Sequence, residues 1–301
     1  MQQKIIVILG PTASGKSDLA VALAQKFDGE VISADSRQVY KGLDIGTGKI
    51  TKTEMQGVPH HLLDVADPRE QFTVSDFVKL AEVAIQEIKD ENKLPMVCGG
   101  TGFYIDTLLG DKQIPEVLPN LKLRKELEQK STEELFDILK ELDPERASNI
   151  DSKNPRRLVR AIEICKVLGR VPKLVVSSQQ SIDRRYEVLK IGIKVGEKEL
   201  RDRINKRIEK WFEEGLLEEV ENLHKNGLSW ERMSEIGLEY KLVSQYLQNK
   251  INKEEMIERM QIETNQYAKR QRLWFKKDKN TLWINPKNVE EIEKEVEKFL
   301  D

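Results

Sequence analysis

Residues 10–17 constrain the fold of this chain more than any other stretch. They read Gly-Pro-Thr-Ala-Ser-Gly-Lys-Ser, an apolar run at 4–9 precedes them, and a helical pattern at 16–27 follows. A strand that enters such a turn and then a helix is typical of a phosphate-binding loop, whose backbone N–H groups curl around phosphate while the hydroxyl next to the lysine binds Mg²⁺. The sequence therefore predicts a diphosphate or triphosphate site with Mg²⁺, and Ser17 as its ligand. The predicted phosphate contacts are Gly10, Pro11, Thr12, Ala13, Ser14, Gly15, Lys16 and Ser17.

The carboxylate that ATP hydrolysis usually needs is missing from its expected place. An aspartate at the end of a second strand usually holds Mg²⁺, but the apolar stretch 94–98 runs into Gly-Gly-Thr-Gly at 99–102. Asp35 instead ends the apolar stretch 30–35. Because ligands of doubly wound sheets bind at the carboxyl ends of the strands, the loop, Asp35 and Thr101 are expected to converge. A phosphate cradle with one carboxylate favours phosphate as a leaving group.

Six ordered blocks, spread from residue 9 to about residue 277, read GPTASGKS, ISADSRQVYKGLDIGTGK, VPHHLLD, GGTGFYI, NPRRLVRAIEI and YAKRQRLWFKK. In these blocks the chain resembles the bacterial tRNA dimethylallyltransferase family. The resemblance implies transfer of a dimethylallyl group from dimethylallyl diphosphate to N6 of the adenosine on the 3′ side of the tRNA anticodon, with release of diphosphate. The chain departs from the commoner pattern at Ser17, where threonine is usual, and at 236–240, where Ile-Gly-Leu-Glu-Tyr replaces a shorter Gly-Tyr-Lys string.

An arginine interrupts the apolar stripe of the helix pattern at 197–215, which consists of Leu200, Ile204, Ile208 and Trp211. At about 100° per residue Arg207 falls inside this stripe and Arg203 flanks it. The residues leave open three explanations for this arginine. It pairs with an acid, its guanidinium reaches past the apolar edge to water, or it binds an anion. The resemblance implies the last of these, with Arg207 acting on the substrate diphosphate and Arg203 beside it.

The resemblance also implies the chemistry of the acceptor side. Adenine N6 is a poor nucleophile because its lone pair is delocalised into the ring, so Asp35 is expected to hydrogen-bond it and accept its proton. Thr12 is expected to fix the diphosphate or the attacking amine, and Arg207 completes the predicted catalytic set. A stacked base cannot enter such a pocket, so the adenosine is expected to be extruded from the anticodon loop. The residues expected to hold it beside Asp35 are Ser36, Arg37, Gln38 and Thr101.

Charge is balanced over the whole chain, with 50 basic and 52 acidic side chains and a net charge of −2. A nucleic-acid surface must therefore come from local segregation. One basic segment, at 151–185, contains Lys153, Arg156, Arg157, Arg160, Lys166, Arg170, Lys173, Arg184 and Arg185. The other, at 269–277, contains Lys269, Arg270, Arg272, Lys276 and Lys277 around Trp274 and Phe275.

Each basic segment has a plainer interpretation as a solvated helix face. Arg156, Arg157 and Arg160 nevertheless crowd like charges within about one turn, which a polyanion would relieve. Trp274 and Phe275 are expected in the core rather than in base stacking. The resemblance favours tRNA contacts for Arg156, Arg157, Arg160, Lys269, Arg270 and Arg272.

The remaining functional residue types are sparse. Cys98 and Cys165 lie on apolar patterns without metal-ligand spacing and are expected to be buried. His60 and His61 are adjacent and far from His224, which favours polar groups near the cleft over a zinc site. No signal pattern precedes the first strand, and no apolar run approaches the roughly 18 residues of a membrane span, so a cytoplasmic protein with no membrane partner is expected. A monomer is expected.

The order of the patterns predicts an α/β fold: a P-loop NTPase-like parallel sheet core with an inserted helical domain and a helical C-terminal region. The core is expected at 1–112 and 186–301, and the insertion at 113–185. Helix patterns within it lie at 121–129, 132–142 and 155–168, and a polar stretch at 177–181 precedes a strand at 186–195. The charged tail at 290–301 resembles a solvated helix.

Two other functions fit the same loop. A small-metabolite or nucleoside kinase would share the phosphate-binding loop and a nearby aspartate base, but it would consume ATP and need no RNA. A nucleotide-switched RNA-binding module would keep the basic segments and tolerate the loss of Asp35. Dimethylallyl diphosphate, Mg²⁺ and tRNA are the partners that the resemblance implies.

Overall fold

The computed structural model of the chain describes residues 2–112, 115, 117–172 and 185–301. Packing divides the chain into two units, one of Met1–Gly110 with Ser181–Asp301 and the other of Asp111–Gln180. The predicted polar stretch at 177–181, together with Lys173 and Arg184 of the first basic segment, lies outside the described residues.

The first unit is built on one sheet of parallel strands in the order β3-β2-β4-β1-β5-β6. The strands are β1 Gln3–Leu9, β2 Gly29–Ser33, β3 His60–His61, β4 Leu94–Gly99, β5 Tyr186–Ile193 and β6 Leu282–Ile284. The helices before β5 in this unit are α1 Lys16–Lys26, α2 Lys52–Met55, α3 Val74–Asp90 and α4 Gly102–Leu108. The predicted α/β class with a parallel sheet is confirmed.

The central strand β1 is covered on both faces. Its side chains alternate, so that Ile5 and Val7 pack with α3 and α4 on one face while Ile6 and Ile8 pack with α1 on the other. All four are fully buried. A strand that is apolar on both faces is typical of a parallel sheet, because crossover helices cover each face. This burial fixes the strand ends from which the site residues project.

Helices dominate the chain after β5. They are α9 Glu197–Glu213, α10 Leu216–Lys225, α11 Trp230–Ile236, α12 Leu238–Leu247, α13 Lys253–Phe275 and α14 Val289–Leu300. The expectation of a solvated tail is wrong for one face of α14, since Ile292 and Val296 are fully buried in the core beside α1. The spacing of four residues puts both side chains on one face of the helix. In the described parts of the chain, no helix combines the length and apolar character that a bilayer crossing requires.

The second unit consists of short helices around a small apolar core. They are α5 Leu121–Leu127, α6 Thr132–Leu142, α7 Pro144–Asn149 and α8 Pro155–Leu168. Ser131 begins α6 through a capping box with Glu134, and Asn154 caps α8, whose first residue is Pro155. These caps explain why the helix starts were readable from the sequence.

A buried carboxylate ties this unit together. Glu163 on α8 is fully buried and accepts hydrogen bonds from the Asn120 N–H at 2.6 Å and from Arg124 Nε at 3.0 Å and Nη2 at 2.9 Å. Arg160 Nη1 also donates to Glu163, and Arg160 Nη2 donates to the Val117 carbonyl at 2.9 Å. Burial opposes ionisation, but these hydrogen bonds prevail and hold the pKa of Glu163 below its usual value. The carboxylate is therefore the charge centre of the unit.

Replacing Glu163 with glutamine should destabilise the helical unit by about 3–5 kcal/mol, because Arg124 and Arg160 lose their buried anion. The pKa of Glu163 is lower in the folded state, so its stabilisation is complete above the unfolded value of 4.5 and is lost as the pH falls through the folded value. Amide hydrogen exchange of α8 peptides across pH 3–7 measures both effects. The control is Glu141→Gln, an exposed acid of α6. Equal protection in both variants would show that the carboxylate contributes nothing.

Candidate active site at the carboxyl ends of the strands

The ends of three strands meet at one edge of the sheet. β1 ends at Leu9 and leads into the phosphate-binding loop, while β2 leads into Asp35 and β4 into Thr101. At Gly99 a Cβ atom would come within 2.2 Å of the Ala34 carbonyl oxygen, so only glycine lets these two strand ends approach so closely. The Thr101 N–H donates to that same carbonyl at 3.2 Å. These backbone contacts between the ends of β2 and β4 explain why Asp35 and Thr101 lie near each other, beside the loop that follows β1.

The phosphate-binding loop curls over the first turn of α1. The Ser14 N–H donates to the Pro11 carbonyl at 3.3 Å, and Ala13 has φ +60°, in the left-handed region. The buried Ser14 hydroxyl has no hydrogen-bond partner among the described residues. Because the N–H groups at the start of a helix lack partners within the helix, this turn is suited to binding an anion.

A narrow cavity opens in front of the loop. Its lining residues are Thr12, Lys16, Ser17, Val31, Ser33, Asp35, Gln38, Thr47, Gly48, Ile50, His60, Cys98, Gly99 and Arg207. Burial lowers the pKa of Lys16, and the nearby Cys98 and Asp35 partly oppose that shift. Six of the predicted site residues line this one cavity: Thr12, Lys16, Ser17, Asp35, Gln38 and Arg207.

Asp35 is held by one of its two carboxylate oxygens. Oδ1 accepts hydrogen bonds from the Arg37 N–H at 2.8 Å and the Gln38 N–H at 3.4 Å. Among the described residues no hydrogen bond occupies Oδ2. A carboxylate that is fixed through one oxygen keeps the other oriented and available for a substrate donor.

The predicted adenosine contacts form a second group around Asp35. Thr101 Oγ1 accepts from the Ser36 N–H at 3.1 Å, which joins the turn after β2 to the start of α4. Gln38 donates through Nε2 to the Gly48 carbonyl at 3.1 Å, and its Oε1 accepts from the Ser33 hydroxyl at 3.3 Å. These two bonds distinguish the oxygen from the nitrogen of the Gln38 amide.

Arg207 reaches the loop from α9. Its Nη1 donates to Thr12 Oγ1 at 3.2 Å, its Nη2 donates to the Gly48 carbonyl at 3.0 Å, and its guanidinium lies 5.1 Å from the ring centre of Trp211. Burial lowers the pKa of Arg207. Gly48 has φ +56°, which favours glycine, and a Cβ atom there would come within 1.4 Å of Nη2, so any other residue would displace the guanidinium. No carboxylate among the described residues forms an ion pair with Arg207, which argues against the paired-acid interpretation.

Arg203 lies one turn earlier on α9, beside the loop. Its Nη1 donates to the Ser14 carbonyl at 3.1 Å and its Nη2 to Glu199 Oε1 at 2.8 Å. The side chain is 35% exposed, so it remains accessible to solvent. Together with Lys16 and Arg207 it surrounds the loop with positive charge.

Gln271 was missed by the sequence analysis. It lies on α13 at 6% exposure, accepts a hydrogen bond from the Thr12 N–H at 2.9 Å through Oε1, and donates to the Gly100 carbonyl at 2.9 Å through Nε2. Two of the strand-end segments are thus tied to one amide. The available signal was a polar residue inside the buried stripe of α13, which consists of Met256, Met260, Thr264, Ala268, Gln271 and Phe275.

The predicted tRNA contacts occupy two different helices. Arg156 and Arg157 are exposed in the first turn of α8, whereas Arg160 is bonded to Glu163 and Val117. Lys269 and Arg270 are exposed on α13. The role of these residues in RNA binding stays a prediction. Arg160 has stabilising partners inside its own unit, and Arg157 Nη1 also lies 3.9 Å from Asp151 Oδ2.

Some residues of the second basic segment have partners within the first unit. Arg272 forms an ion pair with Glu197. Trp274 donates to Asp106 Oδ2 at 3.0 Å, and Phe275 is 3% exposed. Both rings pack with the core beside α3, as predicted.

Both cysteines are buried as expected, and both adjacent histidines have polar neighbours. Burial raises the pKa of Cys98 to about 11. His61 Nε2 lies 2.6 Å from Glu30 Oε2, and His60 Nδ1 lies 2.9 Å from the Val58 carbonyl oxygen. In the part of the chain that the structure describes, no three histidine, cysteine, aspartate or glutamate side chains lie close enough together to hold a metal ion.

A phosphate-binding loop, one oriented carboxylate and converging arginines define an enzyme that acts on a phosphorylated substrate. The chain belongs to the IPP transferase family, whose model matches residues 38–278. It is 40% identical over 294 residues to the tRNA dimethylallyltransferase of Acetivibrio thermocellus, covering 96% of this chain and 94% of that protein. It is 38% identical over 298 residues to that of Alkaliphilus oremlandii, covering 97% and 95%.

Solved structures give the same relationship. The tRNA isopentenylpyrophosphate transferase of Bacillus halodurans superposes with a TM-score of 0.74 at 37% identity, covering 99% of this chain and 97% of that one. A eukaryotic dimethylallyltransferase acting on tRNA superposes with a TM-score of 0.78 at 31% identity, covering 94% of this chain and 74% of that one.

Replacing Gln271 with glutamate should weaken the binding of magnesium diphosphate roughly tenfold, which corresponds to about 1.4 kcal/mol. The carboxylate cannot donate to the Gly100 carbonyl, and it adds a negative charge beside the loop. Isothermal titration calorimetry measures the affinity. Gln266→Glu, an exposed position of the same helix, is the control for charge. If the two variants bind diphosphate equally well, Gln271 does not organise the loop.

Proposed function

We propose that the chain transfers the dimethylallyl group of dimethylallyl diphosphate to N6 of the adenosine that follows the tRNA anticodon on its 3′ side. The observation that carries the proposal is the cavity in which Asp35 faces the phosphate-binding loop and Arg207. In this arrangement a base and a diphosphate-binding loop would lie on the two sides of the reacting carbon. The names of the relatives and the six sequence blocks support the same reaction.

The reaction forms one bond and breaks one bond at C1 of the dimethylallyl group. The lone pair of adenine N6 forms the C–N bond, and the electron pair of the C1–O bond leaves with diphosphate. N6 loses a proton, which Asp35 Oδ2 accepts as the C–N bond forms. The amine becomes acidic as it forms the new bond, and a base is needed at that moment to remove its proton.

The leaving group gains negative charge as the C–O bond breaks. The N–H groups of the loop, Lys16 and Arg207 stabilise that charge from fixed positions, so little reorganisation is required during the reaction. Thr12 connects these groups, because its hydroxyl accepts from Arg207 and its N–H donates to Gln271. Arg203 would contact the outer phosphate from the side of Ser14.

The residues of the site fit Mg²⁺ only together with a bound diphosphate. Ser17 offers a hydroxyl to the same cavity as Asp35, and Mg²⁺ is usually held by a few protein oxygens with phosphate oxygens and water. Ser17 would hold the ion, which would supply positive charge to the departing diphosphate. The hydroxyl is the shared feature of Ser17 and the threonine that is commoner in the family.

The acceptor adenosine must leave the stack of the anticodon loop to reach Asp35. Gln38 presents an amide whose orientation is fixed by Ser33 and Gly48, so it is suited to reading the edge of the base. Ser36 and Thr101, bonded to each other, would complete the adenosine contacts with Arg37.

The first turn of α8 supports a phosphate contact of the tRNA. It contains Arg156 and Arg157 and no acid. Cations are unfavourable near the positive end of a helix dipole, and a phosphate group would relieve this repulsion. The exposed Lys269 and Arg270 on α13 would also contact phosphate groups of the tRNA.

The direct test of the proposal is incubation with dimethylallyl diphosphate, Mg²⁺ and unmodified tRNA, followed by nucleoside mass analysis. We expect one adenosine to gain a dimethylallyl group without any need for ATP. Consumption of ATP in the absence of RNA would instead indicate a kinase.

Replacing Asp35 with asparagine should lower turnover by about two to four orders of magnitude, because the amide keeps the shape but cannot accept the proton. Affinity for tRNA should change by no more than a few fold. Single-turnover kinetics and filter binding measure the two quantities. Asp28→Asn is the control, since Asp28 is exposed at the opposite end of β2 and its φ of +48° suits asparagine. Near-normal turnover of Asp35→Asn would remove it from the base role.

Replacing both Arg156 and Arg157 with glutamine should weaken tRNA binding and reduce the slope of log affinity against log salt by up to about two. Turnover at saturating tRNA should be unchanged, because neither residue lines the cavity. The control is Lys294→Gln with Lys298→Gln, exposed positions of α14 that remove the same charge. Arg160 is left intact because its neutralisation would remove a charge partner of the buried Glu163 carboxylate. An unchanged slope would show that these arginines form only a solvated or internally paired helix face.

A further inference from the structure

A carboxylate outside the cavity holds the loop that leads to Gly48. Glu219, in the first turn of α10, accepts hydrogen bonds from the N–H groups of Asp44 at 2.9 Å, Ile45 at 2.7 Å and Gly46 at 3.1 Å. The Tyr240 hydroxyl donates to Glu219 Oε1 at 2.7 Å. Four donors on one carboxylate leave little freedom for the loop backbone.

The held loop is short and internally bonded. The Gly48 N–H donates to the Ile45 carbonyl at 2.8 Å, and the Lys49 N–H donates to the Asp44 carbonyl at 2.9 Å. The position of Gly48 is therefore set by residues 44–46, whose own N–H groups all point at Glu219. A shift of these N–H groups would therefore displace the Gly48 carbonyl as well.

That carbonyl joins the two halves of the candidate active site. It accepts from Arg207 Nη2 at 3.0 Å and from Gln38 Nε2 at 3.1 Å. Arg207 faces the diphosphate and Gln38 faces the adenosine in the proposed function. One backbone oxygen thus orients both a side chain that faces the diphosphate and a side chain that faces the adenosine.

We propose that Glu219 is a positioning residue for the transfer reaction, which acts through the Gly48 carbonyl on Arg207 and Gln38. The inference rests on the proposed function, which assigns Arg207 to the diphosphate and Gln38 to the adenosine. It also gives a role to the unusual string at 236–240, since Tyr240 bonds to Glu219. A Cβ atom at Gly46 would lie 2.9 Å from the Tyr240 hydroxyl oxygen, so tyrosine and loop are closely fitted.

The test compares Glu219→Gln with Glu218→Gln, its exposed neighbour on α10. Both substitutions remove one negative charge, but only the first places an NH₂ group against backbone N–H donors. Three quantities are measured on the full chain: hydrogen exchange of the peptide at 43–49, the Kd of magnesium diphosphate, and kcat and KM with dimethylallyl diphosphate and tRNA.

For Glu219→Gln we expect faster exchange at 44–46, about tenfold weaker diphosphate binding, and a kcat/KM lowered about 10–100-fold, because small displacements of positioning groups cost up to about that much. Glu218→Gln should match the wild type. Loss of exchange protection with unchanged binding and kinetics would overturn the proposal, as would unchanged protection. If the wild type transfers no dimethylallyl group, the proposed function fails, while exchange and diphosphate binding still decide whether Glu219 positions Arg207.

Tyr240→Phe keeps the proposal testable should Glu219→Gln fail to fold. It removes one of the four donors and leaves the three backbone bonds in place, so we expect a kcat/KM about 2–5-fold below that of the wild type with intermediate exchange at 44–46. A kcat/KM equal to that of the wild type, with faster exchange, would show that motion of this loop does not reach the reacting groups.

Discussion

The site depends on the two hydrogen bonds that hold Thr12 from outside its loop. The N–H of Thr12 donates to Gln271 on α13, and its hydroxyl accepts from Arg207 on α9. A phosphate-binding loop alone positions an anion through its backbone and one lysine. Here two helices that follow β5 also fix the loop, through Gln271 on α13 and Arg207 on α9. The donor and acceptor contacts of the proposed reaction are therefore parts of one hydrogen-bonded structure.

The second constraint is the excess of positive charge around the loop. Lys16, Arg203 and Arg207 surround it, and Asp35 is the carboxylate of the lining. Burial makes this arrangement costly without an anion, as the lowered pKa values of Lys16 and Arg207 indicate. In the proposed reaction a bound diphosphate would relieve the repulsion, so substrate binding is expected to stabilise the folded chain as well. Release of diphosphate would restore the repulsion.

The sequence was most informative where local chemistry decides the structure. Caps and periodicity predicted helices at 132–142 and 155–168, and the structure has Thr132–Leu142 and Pro155–Leu168. β3 and β6 were missed because strands of two and three residues carry no periodic signal. Asp35 was predictable because it follows a strand. For Gln271 the sequence offered only a polar residue within the buried stripe of α13. Most of the bonds that Gln271 and Glu219 form are to backbone groups, which every residue possesses, so no sequence pattern marks their partners.

The dependence of Thr12 on α13 also affects the order in which the enzyme can mature during synthesis. The Thr12–Gln271 contact spans 259 residues, and the Arg207–Thr12 contact spans 195. At translation rates of about 5–20 residues per second, the phosphate-binding loop is made roughly 13–50 s before the glutamine that fixes it. A nascent chain therefore lacks the bond between Thr12 and Gln271 until nearly its whole length has been made. Truncation before α13 would yield a protein that contains the phosphate-binding sequence but not the bond that holds its loop in place.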